Sequence, residues 1–166
     1  MDTLQILSIL VENSAGVLSQ VSRMFSRKGY NIDSLSVGPT DDPAVSRITI
    51  LLHVDDLTAE QVANQLSKLL PVISVKRLNP DESICRELTL VKVRAVDRNQ
   101  RDEVIQLANI FRASIVDVAL ESLTVCITGG ESKSSALLGL LKEFGILELV
   151  QTGTVALQRG PSTIND

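Results

Sequence analysis

The chain has 166 residues, of which 44% are hydrophobic and 22% charged, a balance that supplies a core and excludes pervasive disorder. Length alone leaves open whether it holds one core or two small ones. A net charge of −4 with dispersed basic residues offers no extended positive surface for a phosphate backbone, so direct nucleic-acid binding is not expected.

With no Trp, one Tyr and three Phe, the core must be built from Leu, Ile, Val and Ala. Met1-Asp2-Thr3 lacks a positive n-region, and the apolar run Leu4 to Val11 is short and interrupted by Gln5 and Ser8. Neither a signal peptide nor a membrane span is expected. Cys85 and Cys126 are far apart and show no CxxC spacing, which favours buried thiols over a disulfide or metal site and a cytoplasmic location.

Leu4 to Val11 reads as a buried strand, broken by Asn13-Ser14-Ala15-Gly16. Val17, Leu18, Val21, Met24 and Phe25 then recur at helical spacing, with Gly29 placed as the stop. Ile32 to Val37 predict a second strand, Gly38-Pro39-Thr40-Asp41-Asp42-Pro43 a loop, and Ile48, Ile50, Leu52 and Val54 one face of a third strand. The second helix is expected to start at a Thr58 N-cap and to carry the stripe Val62, Leu66, Leu69 and Leu70. Pro71 begins a fourth strand through Val72, Ile73 and Val75.

Asn79-Pro80-Asp81-Glu82-Ser83 is a polar break, after which the alternation restarts. Leu88 to Ala95 predict a strand, Val104, Ile105, Ala108 and Phe111 a helix, Ile115 to Leu120 and Leu123 to Thr128 two strands, and Ala136 to Phe144 a helix. Ile146 to Val150 and Val155 to Leu157 supply closing strand material. The expected fold class is α+β: two ferredoxin-like βαββαβ domains, 1–78 and 86–159, joined by a linker 79–85 and followed by a flexible tail 160–166. Both alternating sets of the first strand, Leu4/Ile6/Leu10 and Leu7/Ile9/Val11, are apolar, which implies burial on both faces and so a covering sheet or subunit.

The chemically informative stretch is Glu12 to Leu18. It presents backbone N–H groups at a helix N-terminus, which favours a carboxylate. Gly16 permits close approach to the backbone, and the Asn13 amide suits a zwitterion. Asn, Ser and Gly are also what any strand-to-helix turn prefers, and on pattern alone that simpler reading is favoured. A second polar, glycine-containing cluster, Lys28-Gly29-Tyr30-Asn31-Ile32, lies at the other end of the same helix. Three turns of helix separate the clusters, so they can converge only across a dimer interface.

Other motifs carry less. Gly129-Gly130 before Glu131-Ser132-Lys133 lacks the phosphate-loop pattern and reads as a turn with a helix cap. His53 has no Cys or second His at ligand spacing, Asp41-Asp42 and Asp55-Asp56 read as solvated turn acids, and no catalytic or metal site is expected.

Leu7-Ser8-Ile9-Leu10-Val11-Glu12-Asn13 with Gly16-Val17-Leu18-Ser19, then Phe25 to Ile32 and Pro39 to Pro43, closely resemble the regulatory subunits of acetohydroxyacid (acetolactate) synthase. Arg86-Glu87-Leu88, Leu90 to Val93, Ile110 to Ala113 and Ile115 to Val118 extend the resemblance to all but the tail from Gly160. The resemblance implies an N-terminal ACT domain and a homodimer through paired ACT domains. It implies a branched-chain amino-acid effector, usually valine, held by Asn13, Ser14, Ala15, Gly16, Val17 and Leu18 of one subunit and Asn31 and Ile32 of the other. Feedback sensitivity would depend on Gly16 and Ser19. The implied partner is the catalytic large subunit, which would carry the thiamine diphosphate, Mg²⁺ and FAD, with no cofactor here. The loop 38–47, long for a connection between paired strands, reads equally as a surface loop or a contact with that subunit. Two alternatives stand beside this reading. One is a different regulator with two ACT domains, such as one controlling glycine catabolism. The other is a free-standing hydrolase of the acylphosphatase kind, whose phosphate loop needs an Arg that Glu12 to Leu18 lacks.

Overall fold

The computed structural model describes residues 1–166. In chain order the elements are β1 (Thr3–Glu12), α1 (Val17–Lys28), β2 (Ser34–Pro39), β3 (Val45–Val54), α2 (Asp56–Ser67), β4 (Val72–Leu78), a 3₁₀ turn (Pro80–Glu82), β5 (Ser83–Arg94), α3 (Arg98–Ile110), β6 (Ser114–Val118), β7 (Ser122–Gly129), α4 (Glu131–Leu141), β8 (Ile146–Gln151) and β9 (Val155–Gln158). They form two compact units, Met1–Cys85 with Thr154–Asp166, and Arg86–Gly153. The first sheet has the order β2-β3-β1-β4 and the second β6-β7-β5-β8, with antiparallel pairing throughout. Both are the ferredoxin-like arrangement expected of βαββαβ, so the α+β assignment holds.

In the first unit the period-2 residues Leu7, Ile9 and Val11 of β1 and Ile48, Ile50 and Leu52 of β3 share the helix-covered face, with Leu7 opposite Ile50 and Ile9 opposite Ile48. Val17, Val21, Met24 and Phe25 of α1 and Val62 and Leu66 of α2 close over them. Each such Leu, Ile or Phe stabilises the fold by roughly 1.5–3 kcal/mol through the apolar area it removes from water. In the second unit Val91 and Val93, Leu123, Val125 and Ile127 meet Val104 and Ala108 of α3 and Leu137 and Leu141 of α4. A capping box of Asp97 and Gln100 starts α3.

Several boundaries differ from the sequence expectation. The N-cap of α2 is Asp55, whose carboxylate accepts the Thr58 N–H at 2.7 Å, so Thr58 lies inside the first turn. The helix ends at Ser67, which leaves Leu70 beyond the amphipathic stripe and 95% exposed. Gly38 and Pro39 belong to β2 and Val45 to β3, so the connection is only 40–44. It is ordered by its own hydrogen bonds: Thr40 N–H to Val45 O, Asp42 N–H to Thr40 Oγ1 and Ala44 N–H to Asp42 Oδ1. The linker stretch contains the 3₁₀ turn, and β5 already begins at Ser83.

The largest difference concerns the C-terminal segment. Thr154–Asp166 packs with the first unit, and Arg86–Gly153 makes up the second. Thr154 N–H donates to Ser34 Oγ at 2.8 Å, Arg47 Nη2 to Ala156 O at 3.2 Å, Arg159 N–H to Glu82 O at 2.8 Å and Lys76 Nζ to Thr163 O at 2.7 Å. Ala156 is buried with Ile6, Leu51 and Leu78, and Leu4 and Cys85 pack against them. Of the second apolar set of β1 only Ile6 is buried, while Leu4 and Leu10 are half-buried, and part of the cover comes from the chain's own C-terminal residues. β9 pairs with β5 and groups with the first unit.

Candidate functional site

The turn after β1 is held from the side by the 40–44 connection. Asn13 N–H donates to Ala44 O at 2.8 Å and Asn13 Nδ2 to Pro43 O at 2.9 Å, which spends one amide proton on the scaffold and leaves Oδ1 as the open acceptor. Ser14 N–H turns back to Glu12 O. Gly16 is the N-cap of α1 at φ 86°, in the left-handed region, and supplies no side chain to cap the helix. The N–H groups of Val17, Leu18 and Ser19 therefore form an uncapped first turn at the positive end of the helix dipole. An added Cβ at Gly16 would meet nothing within 4 Å.

The predicted residues do not all present side chains. Asn13, Ser14, Ala15, Gly16 and Ser19 are exposed, and Leu18 is 42% exposed. Val17 is buried in the core and offers only its main chain. The hairpin residues Pro43 and Ala44, which fix Asn13, were legible in the sequence only as a loop.

At the far end of α1, Gly29 is left-handed at φ 73°. Its N–H bonds Ser26 O and the Tyr30 N–H bonds Phe25 O, the paired bonds of a Schellman stop. Tyr30 and Phe25 meet edge to face, with ring centroids 6.5 Å apart, across that stop. Asn31 is exposed, and Ile32 packs half-buried against the core. The twelve residues of α1 span about 18 Å. Within one chain, then, the structure does not bring Asn31 and Ile32 to the Asn13–Leu18 turn.

No group of three or more His, Cys, Asp or Glu residues is placed to hold a metal ion. His53, which the sequence gives no metal-ligand or triad partner, meets Asp33, its Nδ1 lying 2.5 Å from Asp33 Oδ2 on the exposed surface. Cys85 and Cys126 are not joined in a disulfide. No helix is long and apolar enough to cross a membrane.

Comparison with known proteins matches both halves. Residues 7–74 fit the "AHAS small subunit-like ACT domain" family and residues 86–160 the "Small subunit of acetolactate synthase" family. An acetolactate synthase small subunit of Mycolicibacterium smegmatis is 48% identical over 158 residues, covering 95% of this chain and 92% of the relative. A probable small subunit from Methanothermobacter thermautotrophicus is 46% identical, covering 96% and 95%. The crystal structure of the Thermotoga maritima small subunit superposes with a TM-score of 0.90 at 37% identity, covering 96% of this chain and 99% of that one. An N-terminal unit with an uncapped, glycine-opened helix and a second unit of the same topology, both matched along nearly their whole length, place this chain in the acetolactate synthase small-subunit family.

Proposed function

We propose that the chain is the non-catalytic regulatory subunit of acetolactate synthase in branched-chain amino-acid biosynthesis. Residues 1–78 serve as the effector-binding ACT domain and 86–159 as the second regulatory domain. In this reading it binds and activates a cytoplasmic, thiamine-diphosphate-dependent large subunit, which carries the Mg²⁺ and FAD as well. It also confers feedback inhibition by a branched-chain amino acid, valine being the first to test. Two copies pair through their ACT domains, so that the Asn13–Leu18 turn of one receives Asn31 and Ile32 of the other.

The observation that carries the reading is the uncapped N-terminus of α1. Its first-turn N–H groups lie at the positive end of the helix dipole, which favours an effector carboxylate, and Asn13 Oδ1, three residues before the N-cap, is an acceptor suited to an ammonium group. Gly16 keeps the approach clear of any side chain. Leu18 and Ile32 supply apolar surface for a branched side chain. One methylene discriminates weakly in such a pocket, so valine, leucine and isoleucine should differ by modest factors.

Isothermal titration with valine, leucine, isoleucine and glycine tests the site. Branched-chain binding that Gly16→Asp abolishes supports it, because the new carboxylate would face the ligand's own. Equal binding by the variant sinks the placement. The alternative of a regulator that serves no synthase would be favoured if the chain failed to bind the large subunit while still binding an amino acid.

A further inference from the structure

The connection 40–44 is built around one acidic residue. Val45 N–H donates to Asp42 O at 3.0 Å, which closes a β-turn with Asp at its first position and Pro43 at its second, the places those residues favour. Asp42 Oδ1 accepts the Ala44 N–H at 2.9 Å, an Asx turn laid over the same residues. The Thr40 hydroxyl lies 3.0 Å from Asp42 O and 2.9 Å from Val45 O, and it accepts the Asp42 N–H at 3.1 Å. Pro43 has no N–H to place. The N–H groups of Ala44 and Val45 are thus both taken by Asp42, and the carbonyls of Pro43 and Ala44 are left over.

Those two carbonyls hold Asn13. Ala44 O accepts its main-chain N–H at 2.8 Å, and Pro43 O accepts its side-chain Nδ2 at 2.9 Å. A carbonyl oxygen can only accept, so the second bond fixes Nδ2 toward the hairpin and Oδ1 away from it. Asn13 is exposed, so packing does not orient its side chain. The end of the amide that it offers an effector is set by where Pro43 O stands. That position depends in turn on Asp42, whose carboxylate forms no ion pair and bonds only the Ala44 N–H.

We infer that Asp42, which forms no hydrogen bond to the effector site itself, is a positioning residue for it: through Ala44 it holds the two carbonyls that orient Asn13. The inference rests on the effector reading above. Asp42 is exposed, and from the sequence it reads as a solvated turn acid. Removing its carboxylate leaves the turn closed by the Val45 N–H, so the fold survives while the Ala44 N–H turns to water and the clamp on Asn13 loosens. An Asn at position 42 would keep an oxygen for Ala44. Asp41, the neighbouring exposed acid, makes none of these bonds and supplies a control for lost charge.

The test uses the full chain as wild type, Asp42→Ala, Asp42→Asn and Asp41→Ala, with thermal melting to verify that each is folded. Isothermal titration with valine, leucine and isoleucine reads binding. The side-chain Nδ2 resonances of Asn13 in nitrogen-resolved NMR spectra, assigned by their loss in Asn13→Ala, read its placement before any ligand is added. Asp42→Ala should weaken binding roughly three- to tenfold, the equilibrium factor of about one net hydrogen bond, and should shift or broaden the Asn13 resonances. Asp42→Asn and Asp41→Ala should match wild type in both measurements. Wild-type affinity in Asp42→Ala, or lost affinity with the Asn13 resonances unmoved, overturns the positioning role while leaving the effector site intact. Equal loss in Asp41→Ala, or no rescue in Asp42→Asn, overturns it too, because charge rather than the Asx turn would then be the cause. A wild-type chain that binds none of the three amino acids overturns the effector reading, and this inference with it.

Discussion

Gly16 combines two demands that separate variants can pull apart. Its φ of 86° is strained for any L side chain, while the space around a new Cβ is open. Gly16→Ala should therefore cost about 1 kcal/mol in denaturant unfolding through backbone strain, with effector binding weakened but measurable by titration. Gly16→Asp should add loss of binding, because charge rather than bulk opposes the ligand. At Asp55, hydrogen bonds from the Thr58 side chain and from its backbone N–H hold the carboxyl below the usual carboxylate range. A depressed folded-state pKa means that the cap stabilises the fold above the unfolded-state value and loses its contribution as pH falls through the folded-state value. Asp55→Ala should therefore lower the melting temperature at neutral pH, and the gap to wild type should close in acid. A gap that persists well below the carboxylate range would show that the cap's ionisation is not the cause.

Among the elements, α1 is the most fully specified by local sequence. Its apolar residues at 17, 21, 24 and 25 form one stripe, and Gly29 with the Phe25–Tyr30 contact ends it in a fixed place. Phe25 is 1% exposed at the centre of the first core. Phe25→Ala should cost about 3–5 kcal/mol and loosen the Schellman stop that positions Asn31 and Ile32. Amide exchange along 29–32 should accelerate in that variant beyond what global destabilisation accounts for. Unchanged protection there would detach the core from the proposed second half of the effector site. The hairpin 40–44 is the other element on which the site leans. Asn13 donates both of its scaffold bonds to the carbonyl oxygens of Pro43 and Ala44, which identifies one physical task for a connection that the sequence left ambiguous.

For the whole molecule, the first unit is discontinuous in sequence, and its last piece is Thr154–Asp166. Deleting 154–166 should expose Ile6, Leu51 and Leu78, which are now at most 6% exposed, and lower the stability of the first unit measurably in urea. Ala156→Asp should reproduce much of that effect, since an unpaired charge placed in the apolar cluster costs about 2 kcal/mol or more. If both variants melted like wild type, the segment would be a passive tail. The regulatory reading makes a further demand through linkage: whatever factor the large subunit applies to effector affinity, the effector must apply to large-subunit affinity. Titrations of each ligand in the presence and absence of the other check this directly, and unequal factors in a closed cycle would refute a two-site coupling.

What the sequence determined by itself was local or periodic. The alternation in β1 and β3, the helical stripe of α1, the stop at Gly29 and the repeated element order are all carried by residues a few positions apart, and so was the glycine-opened turn at 13–16. Tertiary structure decided what depends on residues distant in the chain. Thr154 meets Ser34 and Lys76 meets Thr163, so the C-terminal residues joined the first unit although their pattern read as a strand and tail of the second. Asn13 spent an amide proton on Pro43, and Val17 turned its side chain into the core, because packing and hydrogen-bond satisfaction are settled between elements. Local pattern encodes which face of an element is apolar, but not which distant segment will cover it.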